Sequence, residues 1–294
     1  MKGMALTATV LFVLVGLVSA QDQTAAQKNA DEGTYYVSGD IEGTSGYKGH
    51  TDKDNAILRE HFLATVEGFR DGGAKKVILK SFHGIPGDYP EYVEKSFQDL
   101  PTDGDLPGLT PGMSGLALVG FHGLPPESGF GHAYRFSFFF LNDRKVGEVT
   151  IQVLLAASRG VPTVLYVGDE WGAKEVHALA PDAVIVNTRP GKRPDEGDLD
   201  PAVIAKIRQG AKEAALKQGK VAVPKMPEKM VLTIPMRSDR AAKLAPTMLK
   251  YPVTVDGRRV SRESTNFADI YQFLLDMFKV HDEAIRQEQQ QYGR

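Results

Sequence analysis

Apolar, β-forming residues crowd positions Thr34 to Ile41 and stop at Glu42-Gly43, a pattern that predicts a buried strand. From Asp54 to Arg70 the period changes. Leu58, Phe62, Val66 and Phe69 fall close to one face of a helix, and Gly72-Gly73 ends it. Lys76 to Lys80 predicts a second short apolar strand, and strand–helix–strand over so short a span is a βαβ unit with a parallel strand pair. The alternation continues. Leu116 to Phe121 predicts a third strand, ending at His122. The aromatic-rich stretch His132 to Leu141 reads as extended and closes in a turn at Asn142-Asp143-Arg144. Val146 to Ser158 reads as a helix capped by Gly160, Val161 to Val167 as a strand, Glu170 to Leu179 as a helix and Ala183 to Asn187 as a strand. A polar, Pro/Gly-rich stretch, Thr188 to Asp200, precedes a helix from Pro201 to Lys217. The expected fold class is α/β: a three-layer, mostly parallel sheet spanning residues 34–225. Past Pro224 and Pro227, the segments Val231–Pro235, Val253–Val255 and the amphipathic helix Phe267–Lys279 predict a smaller α+β C-terminal unit, residues 226–294.

Composition changes the picture at the N-terminus. Lys2, the apolar run Ala5 to Leu17 and the small residues Val18-Ser19-Ala20 read as a secretory signal peptide, residues 1–20, cleaved after Ala20. Residues 21–33 then read as a polar, disordered linker. The apolar run is shorter than the roughly 20 residues a bilayer span requires, so the expectation is an exported protein, periplasmic or extracellular, with no membrane association after cleavage. The 35 Lys and Arg against 37 Asp and Glu, net charge -2, give no electrostatic case for nucleic acid as a partner. The chain has no cysteine, so disulfides and thiolate chemistry are excluded and any metal site must be built from His, Asp and Glu.

Ligands in a parallel α/β sheet bind beyond the carboxyl ends of the strands. Asp40 and Glu42 lie at the end of the first predicted strand, His83 just past the second and His122 just past the third. Residues i and i+2 of an extended segment point to the same side, so both carboxylates of Asp40-Ile41-Glu42 can face one ion. Two carboxylates about 4 Å apart repel by about 4 kcal/mol at an effective dielectric near 20, and a cation removes that repulsion. A solvated strand end with a capping Asp is the plainer reading of that tripeptide taken alone.

These residues carry a resemblance. Ser38-Gly39-Asp40-Ile41-Glu42-Gly43-Thr44-Ser45-Gly46 resembles the N-terminal signature of the zinc-dependent D-aminopeptidase family, the dipeptide-transport-operon type. Phe82-His83-Gly84 resembles its second metal motif, Val119-Gly120-Phe121-His122 its third, and Phe130-Gly131-His132 the position of its catalytic histidine. Leu141-Asn142-Asp143-Arg144-Lys145-Val146-Gly147-Glu148 resembles its last metal motif, continued by Val161 to Asp169. Order and spacing agree from about residue 35 to residue 180. The resemblance implies five metal ligands, Asp40, Glu42, His83, His122 and Glu148, and His132 as nucleophile or base. It also implies a homo-oligomer whose ring admits only small substrates. The chain departs from the family pattern at Lys80-Ser81-Phe82, where the family has Asn-Asp-Ser, and at Gln152, near a usual asparagine.

With that ligand set, counting favours two divalent ions, zinc by resemblance. A catalytic zinc typically holds three protein ligands and an open position, so five residues serve two ions if one carboxylate bridges, and Asp40 is placed to do so. Two divalent ions, three carboxylates and one hydroxide also cancel in charge. The expected function is an exported dinuclear-metal aminopeptidase that hydrolyses short peptides, with N-terminal D-residues by kinship, using metal-activated water. The alternatives are a dinuclear amidase or phosphoesterase and a non-catalytic peptide- or metal-binding protein. Outside this set, His50 reads as an exposed loop residue, His61 and His177 as packing or surface residues on helices, His281 as remote, Asp169 as a helix cap, and Phe138-Phe139-Phe140 as core or an oligomer contact.

Overall fold

A computed structural model describes residues 31–85, 87–95, 106–124, 132–189 and 199–292. The expected leader, the linker up to residue 30, Phe130-Gly131 and most of the Pro/Gly-rich stretch before Asp200 lie outside the described residues.

Six parallel strands form the main sheet: β1 (Thr34–Gly39), β2 (Lys76–Ser81), β3 (Val93–Lys95), β4 (Gly115–Phe121), β7 (Thr163–Gly168) and β8 (Val184–Asn187), in the order β3-β2-β1-β4-β7-β8. The order reverses between β1 and β4, the crevice where such sheets bind ligands. The period-two alternation sends the strand side chains to two separate cores. Tyr35, Val37, Leu79, Val119 and Val167 pack under helices α1 (Asp52–Asp71) and α4 (Pro201–Leu216) through Phe62, Phe69, Ile207 and Ala211. Tyr36, Ile78, Leu118 and Tyr166 face the other way, towards α2 (Glu148–Ser158) and α3 (Glu170–Leu179). Helix α1 starts at Thr51, which forms a reciprocal capping box with Asp54. Helix α2 is buried from Glu148 to Ala157, as a helix apolar on every side must be.

A second, antiparallel sheet has the order β10-β11-β9-β5-β6. Strands β9 (Met230–Pro235), β10 (Thr254–Asp256) and β11 (Arg259–Ser264) come from the C-terminal part. Strands β5 (Phe139–Leu141) and β6 (Arg144–Val146) are a hairpin inserted in the chain between β4 and β7. Helices α5 (Asp239–Met248) and α6 (Phe267–Tyr292) complete this layer. The α/β class with a smaller α+β part matches the sequence expectation, with two local differences. The helix expected from Val146 starts at Glu148, because Val146 pairs with Phe139 in the hairpin. The turn at Asn142-Asp143 has φ of 48° and 64°, the two-residue type that closes hairpins. Asn142 also ties it to β9, donating from Nδ2 to Lys229 O and accepting from Val231 N. The stretch expected as extended from His132 is strand only at its end; before that it holds a single bridge, Ala133 to Phe136, with Tyr134 at φ 55°. Aromatic content signalled burial there, not ladder pairing.

The chain after β1 lies flat on β4. Asp40 N donates to Val119 O, and Gly43 N donates to Gly120 O. Gly120 has φ 75°, and a Cβ there would sit 2.1 Å from Asp40 O; a Cβ on Gly43 would sit 1.9 Å from Phe121 O. Backbone meets backbone at both points, so neither neighbour can yield. Gly43→Ala is expected to lower the unfolding free energy by roughly 2 kcal/mol or more, read from the midpoint of a urea titration.

Candidate metal centre

The strand ends deliver the expected residues to one edge. Asp40 and Glu42 follow β1, His83 follows β2 and His122 follows β4; Asp40, Glu42 and His122 are each no more than 3% exposed. Glu148 is the first residue of α2, aimed inward by the tight β5–β6 hairpin before it. His83 Nε2 lies 3.0 Å from Asp40 Oδ1 and 3.3 Å from Glu42 Oε2. His132 Nε2 lies 3.8 Å from Glu148 Oε1 and 3.9 Å from Glu42 Oε1, and its ring centre is 4.9 Å from that of His122. Glu42, His50 and His83 offer donor atoms that all lie within 4.8 Å of one another, and His122, His132 and Glu148 form a second such group. A cavity of about 170 Å³ opens here, lined by Asp40, Phe82, His83, His132, Tyr134, Arg135 and Glu148.

The electrostatics of the cluster suit a cation. Burial, then the charge of Glu42, holds the Asp40 carboxyl well above the usual carboxylate range, and its Oδ2 is buried with no hydrogen-bond partner among the described residues. Burial also opposes ionisation of Glu42, but hydrogen bonds with His83 and Asp40 outweigh it and keep that carboxyl low. Burial, then Asp40, pushes Glu148 up to about 8. Burial disfavours the His83 imidazolium, yet its bonds to Asp40 and Glu42 raise it to about 10. Burial and then His122 lower His132. His122 Nδ1 meets the Gly123 carbonyl at 3.1 Å; a carbonyl only accepts, so Nδ1 donates this bond and Nε2 is the nitrogen left to face an ion, the arrangement found in metal-bound histidines. Carboxyls held protonated by burial and like charge are groups whose protons a divalent cation displaces. The donor set, imidazole and carboxylate without thiolate, fits zinc.

Residues outside the expected site set hold this loop in place, Asp169 as the helix cap that its position suggested and Arg189 and Thr188 with no such signal. Arg189, 3% exposed, donates to the Glu42 carbonyl at 2.8 Å, and Thr188 Oγ1 donates to the Gly43 carbonyl at 2.7 Å. Asp169 caps α3 by accepting from Trp171 and Gly172 N–H, and also accepts from Gly123 N, which anchors the segment carrying His122. Ser38 donates to Gln152 Oε1, whose amide donates to Tyr134 Oη, while Tyr134 N donates to Glu148 Oε1 at 2.6 Å. The departures at 80 and 82 form a packed pair: the buried Lys80 ammonium lies 3.2 Å from the centre of the Phe82 ring.

A family model described as D-aminopeptidase matches residues 32–275. The chain belongs to the D-aminopeptidase family. That match spans both sheets and all six expected site residues. D-aminopeptidase of Bacillus subtilis (strain 168) is 24% identical over 262 residues, 82% of this chain and 95% of the relative. The solved structure of zinc-dependent D-aminopeptidase DppA from Bacillus subtilis, described as a self-compartmentalizing protease, superposes with a TM-score of 0.70 at 19% identity, covering 84% of this chain and 97% of that one. The structural likeness is one of fold; family membership makes this chain a peptidase, a hydrolase of peptide bonds.

The remaining histidines divide as follows. His61 is buried, its Nε2 3.1 Å from Ser45 Oγ, and burial together with the nearby Arg189 charge lowers it to about 3. His177 is exposed on α3, and His281 on α6 packs its ring on Phe136. Phe139 is core, with Phe138 and Phe140 half-buried beside it. His50 is exposed, as expected of a loop residue, but its Nε2 is 3.4 Å from Glu42 Oε1.

The raised groups set the pH dependence of the metal-free protein. Protonated Glu148 favours the fold fully below its ordinary 4.5, and that contribution is lost as the pH climbs through about 8. His83 has the same sign over a window from 6.5 to about 10. In chelator, stability is therefore expected to fall by on the order of 2 kcal/mol between about pH 6 and pH 8.5, followed as the thermal midpoint. Glu148→Gln flattens the fall, and saturating zinc removes it, since the cation replaces the displaced protons.

Proposed function

We propose that this chain is a zinc-dependent aminopeptidase that takes short peptides, those with N-terminal D-residues foremost, outside the cytoplasm. The observation that carries the reading is the convergence of Asp40, Glu42, His83, His122 and Glu148, from four separate elements, on one pocket in which burial and like charge hold the Asp40 and Glu148 carboxyls above their ordinary range. These five are the proposed ligands. The two donor groups, Glu42 with His50 and His83 and His122 with His132 and Glu148, support two ions, and Asp40, 3.0 Å from His83, would be the shared ligand. Bound zinc would supply an activated water and polarise the scissile carbonyl.

The side chains define the rest. His132 stands at the pocket mouth, 45% exposed, where a substrate can touch it. Burial and His122 keep it neutral near pH 7, so it offers a lone pair to take a proton from the attacking group or to attack the carbonyl itself. Phe82 and Tyr134 wall the cavity, whose small volume suits the end of a peptide and not an extended strand. Specificity for D-residues and a self-compartmentalizing homo-oligomer are supported by the named relatives. Export rests on the leader-like residues 1–20, and among the described residues no helix is long and apolar enough to cross a membrane.

Purified mature protein is expected to carry zinc and to release p-nitroaniline from D-Ala p-nitroanilide faster than from the L-isomer. The activity should be lost in chelator and return with zinc. His132→Ala should lower kcat by about 10²–10⁴-fold while zinc content holds. Zinc-free protein, or turnover of a phosphate ester in place of the amide, would sink the reading. Native mass spectrometry checks assembly: the expected species is a multiple of the chain mass, and a lone monomer at micromolar concentration argues against a ring.

A further inference from the structure

The five-ligand set, with Asp40 shared, gives each proposed ion three protein donors, and His50 stands beside that set. It lies outside the five-ligand set, on the loop between β1 and α1, yet its Nε2 is 3.4 Å from Glu42 Oε1 and its ring centre 4.8 Å from that of His83. Glu42, His50 and His83 have the spacing of a three-donor site, as His122, His132 and Glu148 do. The loop that carries His50 is fixed on both sides by one side chain. Buried Asp54 accepts from Lys48 N at 2.8 Å through Oδ1, and from Thr51 N and Oγ1 at 2.7 Å through Oδ2. Between these clamps Gly49 has φ 129° and His50 has φ 60°, the left-handed region that a histidine enters at a cost. Tyr47, almost fully buried, packs its ring edge-on to His50 at 5.3 Å. A surface residue with no task would be free to relax. This one is held in an unfavourable backbone conformation with its imidazole aimed at a buried carboxylate.

We propose that His50 is a further metal ligand, on the ion that Glu42 holds. The inference rests on the dinuclear reading and deepens it. His50 would add one donor on the Glu42 side of the centre, beyond the three per ion that the five-residue set provides.

Zinc titrations of metal-free wild type, His50→Ala and His50→Gly against a chromophoric chelator test this. Wild type should bind two zinc ions. Both variants should weaken one step by about 100-fold, at least the loss seen when only the partner of a ligand is removed, and leave the other within about twofold. Zinc-edge X-ray absorption should show fewer imidazoles per zinc in His50→Ala than in wild type. Glycine is unstrained at φ 60°, so His50→Gly should melt in chelator no lower than wild type. Unchanged affinities with an unchanged imidazole count would overturn the assignment. So would a His50→Gly protein that melts lower without metal yet binds zinc normally, since His50 would then only hold the loop. Wild type that binds no zinc sinks the metallopeptidase reading first. Wild type that binds two ions indifferent to His50 sinks this inference alone.

Discussion

Three carboxylates, Asp40, Glu42 and Glu148, are held together in a pocket from which they are almost entirely hidden from water. Like charges at such separations repel by several kcal/mol, and burial adds a desolvation cost to each. The surrounding structure resists that pressure. Gly43 and Gly120 let the loop after β1 lie in backbone contact with β4. Arg189 and Thr188 grip the carbonyls of that loop, and Asp169 binds the backbone N–H beyond His122. A cation between the carboxylates would reverse the sign of the interaction.

The same constraint explains why two sheets are needed. The parallel sheet alone presents Asp40, Glu42, His83 and His122 around its switch point. Glu148 and His132 come from segments flanking the β5–β6 hairpin, which leaves the first sheet after β4, joins the second, and returns through the buried helix α2. The centre therefore sits on the seam between the layers. Tyr134 joins the two halves: its N–H binds Glu148, and its hydroxyl reaches β1 through Gln152 and Ser38. The position of Glu148 depends on packing of the C-terminal layer, and in particular on Asn142 holding the hairpin to β9.

Much of this was legible in the letters. Period-two and period-3.6 patterns identified five of the six parallel strands and the helices between them, because core-facing positions must be apolar wherever an element is half-buried. Placement at strand ends singled out Asp40, Glu42, His83 and His122 on geometric grounds. Glu148 and His132 came only through family resemblance: nothing in the spacing of a lone glutamate at a helix start or a lone histidine in an aromatic run separates them from their neighbours.

Tertiary structure decided the rest, for one physical reason: contacts between residues far apart in the chain leave no local period. Arg189 reaches Glu42 across 147 positions and Thr188 reaches Gly43 across 145. The pairing of Val146 with Phe139 shortened an expected helix, and the short strand β3 and the helix α5 gave no signal strong enough to read. His50 shows the limit most clearly. Its exposure was readable from a glycine-bearing loop, but its approach to Glu42 follows from a positive φ and from the clamp made by Asp54, and neither exists until the chain has folded.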